Sequence, residues 1–175
     1  LVVANKEENR EIDVRRLREA DVNVWVTHIE TVPEAIASMR RLFEALGWGE
    51  PEWLTDVAER WASTVPTYAH VAVPIWRDPW MVVGQSTFTG DLLARLGCAN
   101  VFGGSAQRYP KADPKDFDRD DVLVLLPDEP YVFSEEDGPE VFDRARTQLV
   151  SGRLITWYGP SLLEARDLTF GERRP

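Results

Sequence analysis

Five consecutive apolar residues, Val122-Leu123-Val124-Leu125-Leu126, follow a pair of aspartates and stop at Pro127. A half-wetted strand alternates apolar with polar. An unbroken run marks a strand buried on both faces, and such strands belong to parallel sheets covered on two sides. Partners for it are spread along the chain. Apolar or β-branched runs at 1–4, 22–27, 68–76, 81–83 and 100–102 read as strands, and 149–156 holds one or two more around Gly152. Helical spacing of apolar residues separates them at 8–19, 31–46, 51–63, 87–96, 135–146 and 161–167. Strands alternating with helices predict an α/β fold with a mainly parallel, Rossmann-like sheet.

Local signals punctuate this pattern. The first strand, helix and strand form a parallel crossover unit, expected to be right-handed. Thr31 suits an N-cap, Pro33 a first helical turn, and Gly47 and Gly49 stop the helix that carries Ile36, Met39, Phe43 and Leu46. The helix of 51–63 ends before Pro66, and these two helices read as a bridge between lobes. The apolar opening Leu1-Val2-Val3-Ala4 reads as a strand already in progress, so the chain is expected to be a piece of a longer protein. The tail, 171–175, is expected to fray.

Thirty acidic residues stand against 20 basic ones, a formal net charge of −10. That balance argues against nucleic acid, whose binding rests on clustered Lys and Arg, and against anionic membrane surfaces. No apolar run approaches the roughly 20 residues needed to span a bilayer. The single cysteine, Cys98, rules out an internal disulfide and reads as a small buried filler. His28 and His70 have no Cys, Asp or Glu at ligand spacing. No G-x-S-x-G elbow surrounds any serine, and Gly103-Gly104 lacks a phosphate-loop lysine. Acidic pairs such as Glu7-Glu8 and Asp128-Glu129 read as solvated charges.

In open α/β sheets ligands bind outside the carboxyl ends of the strands. Here those ends are rich in large rings. The strand of 68–76 runs into Trp76, Asp78 and Trp80. The one at 100–102 leads to Arg108-Tyr109-Pro110, that of 122–126 to Asp128-Glu129-Pro130-Tyr131, and the last to Trp157-Tyr158. Broad apolar faces with polar tips suit a flat, partly apolar ligand in a wet cleft. The competing expectation is that some of these rings plug the core beneath their loops.

Several of these segments, in order, resemble one family. Ile75-Trp76-Arg77-Asp78-Pro79-Trp80-Met81, Thr87-Phe88, Asn100-Val101-Phe102, Arg108-Tyr109-Pro110, Glu129-Pro130-Tyr131 with Phe133, and Trp157-Tyr158-Gly159 are similar to the helical-backbone metal receptor proteins. These are the substrate-binding proteins of ABC importers for cobalamin, haem and iron-siderophores, and the vitamin B12-type branch is the nearest likeness. The resemblance implies a class III substrate-binding protein fold: two α/β lobes joined by a rigid helix, with the ligand between them. Residues 1–30 would be the end of the first lobe, 31–65 the bridging helices, and 66–175 the second lobe. It further implies that Trp76, Trp80, Tyr109, Tyr131 and Trp157 pack on the chelate. Asp78, Arg108 and Glu129 would meet its polar groups, and Asn5, Lys6 and Asn9 would approach from the first lobe. An importer permease would dock on acidic residues such as Glu8 and Glu135 or Glu136, outside the cytoplasm. Two other readings stay open: an α/β enzyme using Asp78 or Glu129 as acid/base, and a truncated remnant that binds nothing.

Overall fold

The computed structural model describes residues 1–171. The chain opens with β1 (Val2–Asn5), α1 (Glu11–Glu19) and β2 (Val24–Thr27), in which β1 and β2 pair in parallel, Val2 opposite Val24 and Asn5 opposite Thr27. Helix α1 starts later than the 8–19 expected. Asn5 Oδ1 accepts from Glu7 N at 3.0 Å and Asn9 Oδ1 from Asn5 N at 2.8 Å, so two asparagine side chains fold residues 5–9 into a turn instead.

Two helices follow, α2 (Val32–Ala45) and α3 (Glu52–Arg60). Thr31 caps α2 as expected. Its Oγ1 accepts from Glu34 N at 3.2 Å while the Glu34 carboxylate accepts from Thr31 N at 3.1 Å, a reciprocal capping box.

The remainder comprises β3 (Ala69–Ala72), β4 (Pro74–Trp76), β5 (Met81–Val82), α4 (Phe88–Arg95), β6 (Cys98–Asn100), β7 (Val122–Pro127), β8 (Arg146–Val150), α5 (Gly152–Thr156) and α6 (Ser161–Ala165). Strands β6, β3, β7 and β8 lie side by side in that order, all parallel. The strand expected over 68–76 breaks at Val73. Beyond it β4 turns back on β5 as a small antiparallel hairpin that carries Trp76 and Trp80 out of the main sheet.

Strand β7 is the axis of the molecule: all six of its residues are buried. Leu123 and Leu125 join one apolar core with Val71, Leu54, Val57, Leu92, Leu93, Ile155 and Leu162, so all five helices from α2 onward pack on one face. Val122, Val124 and Leu126 join a second core with Ala72, Val82, Phe117 and Phe133 on the other face. Each such side chain contributes about 2 kcal/mol when taken from water.

The second face departs from expectation. Residues 135–146 do not form a helix; the segment is irregular, with a single 3-10 turn at Pro139–Val141. Gly138 sits at φ +127°, a conformation open to glycine, and Pro139 has no N–H to give. Further on, the Asp118 carboxylate takes the backbone N–H groups of Asp143, Arg144 and Ala145, holding that stretch extended as it enters β8. The run of 149–156, expected as strand, instead ends β8 at Val150 and continues as α5. The fraying expected at 171–175 falls, Gly171 apart, outside the described residues.

Candidate ligand-binding rim

The carboxyl ends of the parallel strands open onto an edge built from four loops. From β4 comes Trp76, 46% exposed, whose ring meets the Tyr131 ring edge-on, centroids 5.8 Å apart. Tyr131 belongs to the loop after β7. Its hydroxyl donates to Asp137 Oδ2 at 2.6 Å, and that hydrogen bond to a carboxylate raises the phenol's pKa. The rings continue inward as Tyr131–Phe133 at 4.7 Å, Phe133 stacked on Trp80 at 5.7 Å, and Trp80 against Phe142 at 5.9 Å. Trp80 is therefore part of the packing that supports the rim, with Arg77 lying over its face 5.5 Å from the centroid.

The same loop also holds the second exposed indole. Glu129 Oε1 accepts from Trp157 Nε1 at 2.5 Å and from Thr156 Oγ1 at 3.3 Å. Trp157 is 60% exposed yet fixed at its nitrogen. Gly152 makes this approach feasible: a Cβ there would run into the Glu129 side chain and backbone, and its N–H donates to Asp128 Oδ1 at 2.6 Å. Residues 128–133 thus tie Trp76 and Trp157 together through Tyr131 and Glu129.

Tyr109 lies on the loop after β6, 36% exposed. Burial of its hydroxyl pushes its pKa up, and Arg108 opposes that shift. Its loop is anchored to the hairpin by Gly84 N–H to Arg108 O at 2.7 Å and Val82 N–H to Pro110 O at 3.0 Å. Asp78 is exposed at the hairpin tip, and its charge reaches the Tyr131 hydroxyl.

Three of the residues singled out in the sequence have other partners. Arg108 forms ion pairs with Glu7, after β1, and with Glu30, after β2, so it ties the first parallel pair to the main sheet. Asn5 and Asn9 spend their side chains on the turn that follows β1. Lys6 is exposed beside them, its N–H donating to Thr27 O at 2.9 Å.

Further contributors were not among the expected ligand contacts. Arg77 ion-pairs with Asp137 and, at 2.6 Å, with Glu140, and so clamps the irregular segment beneath the rim. Asp137, Phe133 and Phe142 complete that clamp. Arg77 stands inside the quoted Trp76–Trp80 stretch, but partners sixty residues away leave no local pattern. Beside the rim lies a concavity of about 320 Å³ between the starts of α2 and α4, lined by Glu30, Gly84, Asp91, Asn100 and Gly103 among others. Asp91 there is already engaged, accepting from Val32 N at 2.8 Å and pairing with Arg95 at 2.7 Å. Burial pushes the Cys98 thiol up to about 11, in keeping with a packing role. Among the described residues no cluster of His, Cys, Asp and Glu has the makings of a metal site.

No protein-family model and no curated protein matches the chain. Solved structures do. The chain is similar to the periplasmic vitamin B12-binding protein BtuF of Vibrio cholerae at 14% identity and a TM-score of 0.69, over 94% of this chain and 70% of that one. It is similar to the periplasmic haem-binding protein RhuT of Roseiflexus sp. RS-1 at 17% identity and a TM-score of 0.73, over 94% and 73%. A possible iron-binding periplasmic solute-binding protein of Staphylococcus epidermidis ATCC 12228 matches at 15% identity and a TM-score of 0.72, over 94% and 74%. At these identities the likeness shows the fold. The chain has the α/β architecture of class III periplasmic substrate-binding proteins.

Proposed function

We propose that this chain is a substrate-binding protein that holds cobalamin or a related metal chelate (haem or an iron-siderophore) and presents it to an ABC importer outside the cytoplasm. One observation carries the reading: two exposed indoles, Trp76 and Trp157, are held at the carboxyl edge of a parallel sheet by one loop. Broad rings fixed before a ligand arrives offer contact area at low entropic cost. The three solved structures named above, which share this fold, are a vitamin B12-binding, a haem-binding and a possible iron-binding periplasmic protein.

In this reading Trp76, Trp157 and Tyr109 face the chelate. Tyr131 and Trp80 back them, and Asp78 and Glu129 accept from its polar groups. Lys6 approaches from the other side of the cleft, where Asn5 and Asn9 shape the turn. Arg108 spans the two sides. Residues 1–30 form the end of one lobe, 31–65 the bridge, and 66–171 the lobe that carries the rim. Glu8 and Glu135 or Glu136 are the acidic contacts offered to a permease. Among the described residues no helix is long and apolar enough to cross a membrane.

An acid/base role for Glu129 finds no support in its surroundings, since one carboxylate oxygen is taken by both Trp157 and Thr156. Titration with cyanocobalamin and with haem, followed by tryptophan fluorescence, tests the proposal. Saturable quenching at micromolar ligand or below is expected; a flat response to both overturns it.

A further inference from the structure

The rim's arginines are already spoken for. Arg77 is shared by Asp137 and Glu140, and Arg108 by Glu7 and Glu30. Arginine recognises a carboxylate through a planar fork of donors. Here each fork faces two carboxylates, which leaves a net negative charge at both places where an anionic ligand would look for a cation. The Nε and Nη2 atoms of Arg108 are moreover buried, so a ligand reaches them only by breaking the existing pairs.

The surrounding loops reinforce this. Residues 5–9, 28–31, 73–87, 101–112, 128–145 and 151–160 hold eleven acidic side chains against six lysines and arginines. Of the six, Arg144 pairs with Asp120 and Arg153 with Glu164. Lys6 and Lys111 are the two outside any ion pair among the described residues, and Lys6 has Glu7 and Glu8 as its chain neighbours. The two carboxylates beside the exposed rings, Asp78 and Glu129, are acceptors, Glu129 with one oxygen already engaged by Trp157 and Thr156. Acceptors suit a ligand edged with amide N–H groups or bearing positive charge, and they repel one edged with carboxylates or catecholates.

We infer that the site selects an uncharged or cationic chelate bordered by hydrogen-bond donors and discriminates against anionic ones. The inference rests on the proposal that the rings grip a chelate, and deepens it to a charge class. It is tested by titrating the protein with four probes at low and high salt: cyanocobalamin and a neutral ferric trihydroxamate against haem and an anionic ferric tricatecholate. The uncharged pair is expected to bind about tenfold tighter or more at low salt, with the gap narrowing at high salt as charges are screened. Glu140→Gln and Glu30→Gln, which each return one arginine to a single carboxylate, are expected to tighten the anionic probes by roughly tenfold, a repulsion of that order being removed with one unit charge near the protein surface. Anionic probes binding as tightly as neutral ones, or an anionic affinity that falls as salt is lowered no further than the neutral one, overturns the charge preference alone. No binding of any probe overturns the reading of the site, and the charge preference with it.

Discussion

Trp157 shows how a single side chain can be exposed and rigid together. Its nitrogen is held by Glu129 while its ring faces water, so the entropy of ordering the ring is spent in folding rather than in binding. Removing it should therefore separate binding from stability. Trp157→Ala is expected to weaken chelate affinity by about tenfold or more, since a central ring at an interface is worth roughly 2 kcal/mol. The unfolding free energy should move by no more than about 0.5 kcal/mol, as for other exposed positions. Fluorescence titration and thermal melts on the same sample decide it; an unchanged affinity removes Trp157 from the site. Asp118 is the opposite case, a carboxylate that works only for the fold. Backbone N–H groups of Ala145, Arg144 and Asp143 hold its pKa below the usual carboxylate range. A pKa lowered by folding gives stability that is present above the unfolded value, about 4, and is lost as pH falls through the folded one. Asp118→Asn is expected to melt a few degrees lower than the parent at neutral pH and to converge with it in strong acid. Melts that coincide at neutral pH would show those three bonds to be idle.

At the scale of elements, α2 rests on its first turn. The capping box of Thr31 and Glu34 satisfies donors that the helix itself leaves open, and Glu34 also takes the N–H of Glu30, the residue that reaches Arg108. Thr31→Ala is expected to cost about 1 kcal/mol, a fall of roughly 2–4 °C in the midpoint for a chain of this size. Thr31→Ser should restore it, and a midpoint that does not respond to either substitution would deny the cap its role. This helix start was readable in the sequence because all its parts lie within four residues. So was β7, whose burial on both faces is written in its own unbroken run. The segment 135–146 was misread for the converse reason. Its charges look like a helix's solvated face, but Asp137 answers to Arg77 and Tyr131, Glu140 to Arg77, and the backbone near Ala145 to Asp118. Those partners come from other strand ends, and no local period records them. The rim follows the same division. That rings gather at the strand ends was legible from the topology; that Glu129 fixes one and Tyr131 braces another was not, because both depend on side-chain directions settled by packing.

For the molecule as a whole, the weakest joint is the one between the first parallel pair and the rest. A two-stranded sheet is marginal by itself, and β1–β2 leaves Val3 and Val26 exposed while burying Ala4 and Thr27. Thr27 Oγ1 donates to Ala4 O at 3.2 Å and lies 3.4 Å from the Tyr158 hydroxyl, a slender polar link to the body. The firmer link is Arg108, whose side chain and both carboxylate partners, Glu7 and Glu30, are less than one third exposed. Pairs at this depth are worth more than the surface median of about 0–1 kcal/mol, because removing one partner strands the others away from water. Arg108→Met should accordingly leave Glu7 without an ion-pair partner and Glu30 with His28 alone, 3.1 Å away, and loosen residues 1–30 without touching the main sheet. Hydrogen exchange measured strand by strand is the direct test: amides of β1 and β2 are expected to exchange about tenfold faster, the equivalent of roughly 1.4 kcal/mol, while those of β3 and β7 keep their protection. Uniform acceleration would mean that Arg108 supports global stability instead, and no acceleration would mean that apolar contacts alone seat the first pair. If the local effect is found, the arginine that withholds itself from an anionic ligand is the same one that sets how far the turn after β1 stands from the aromatic rim, so charge selection and cleft geometry rest on a single side chain.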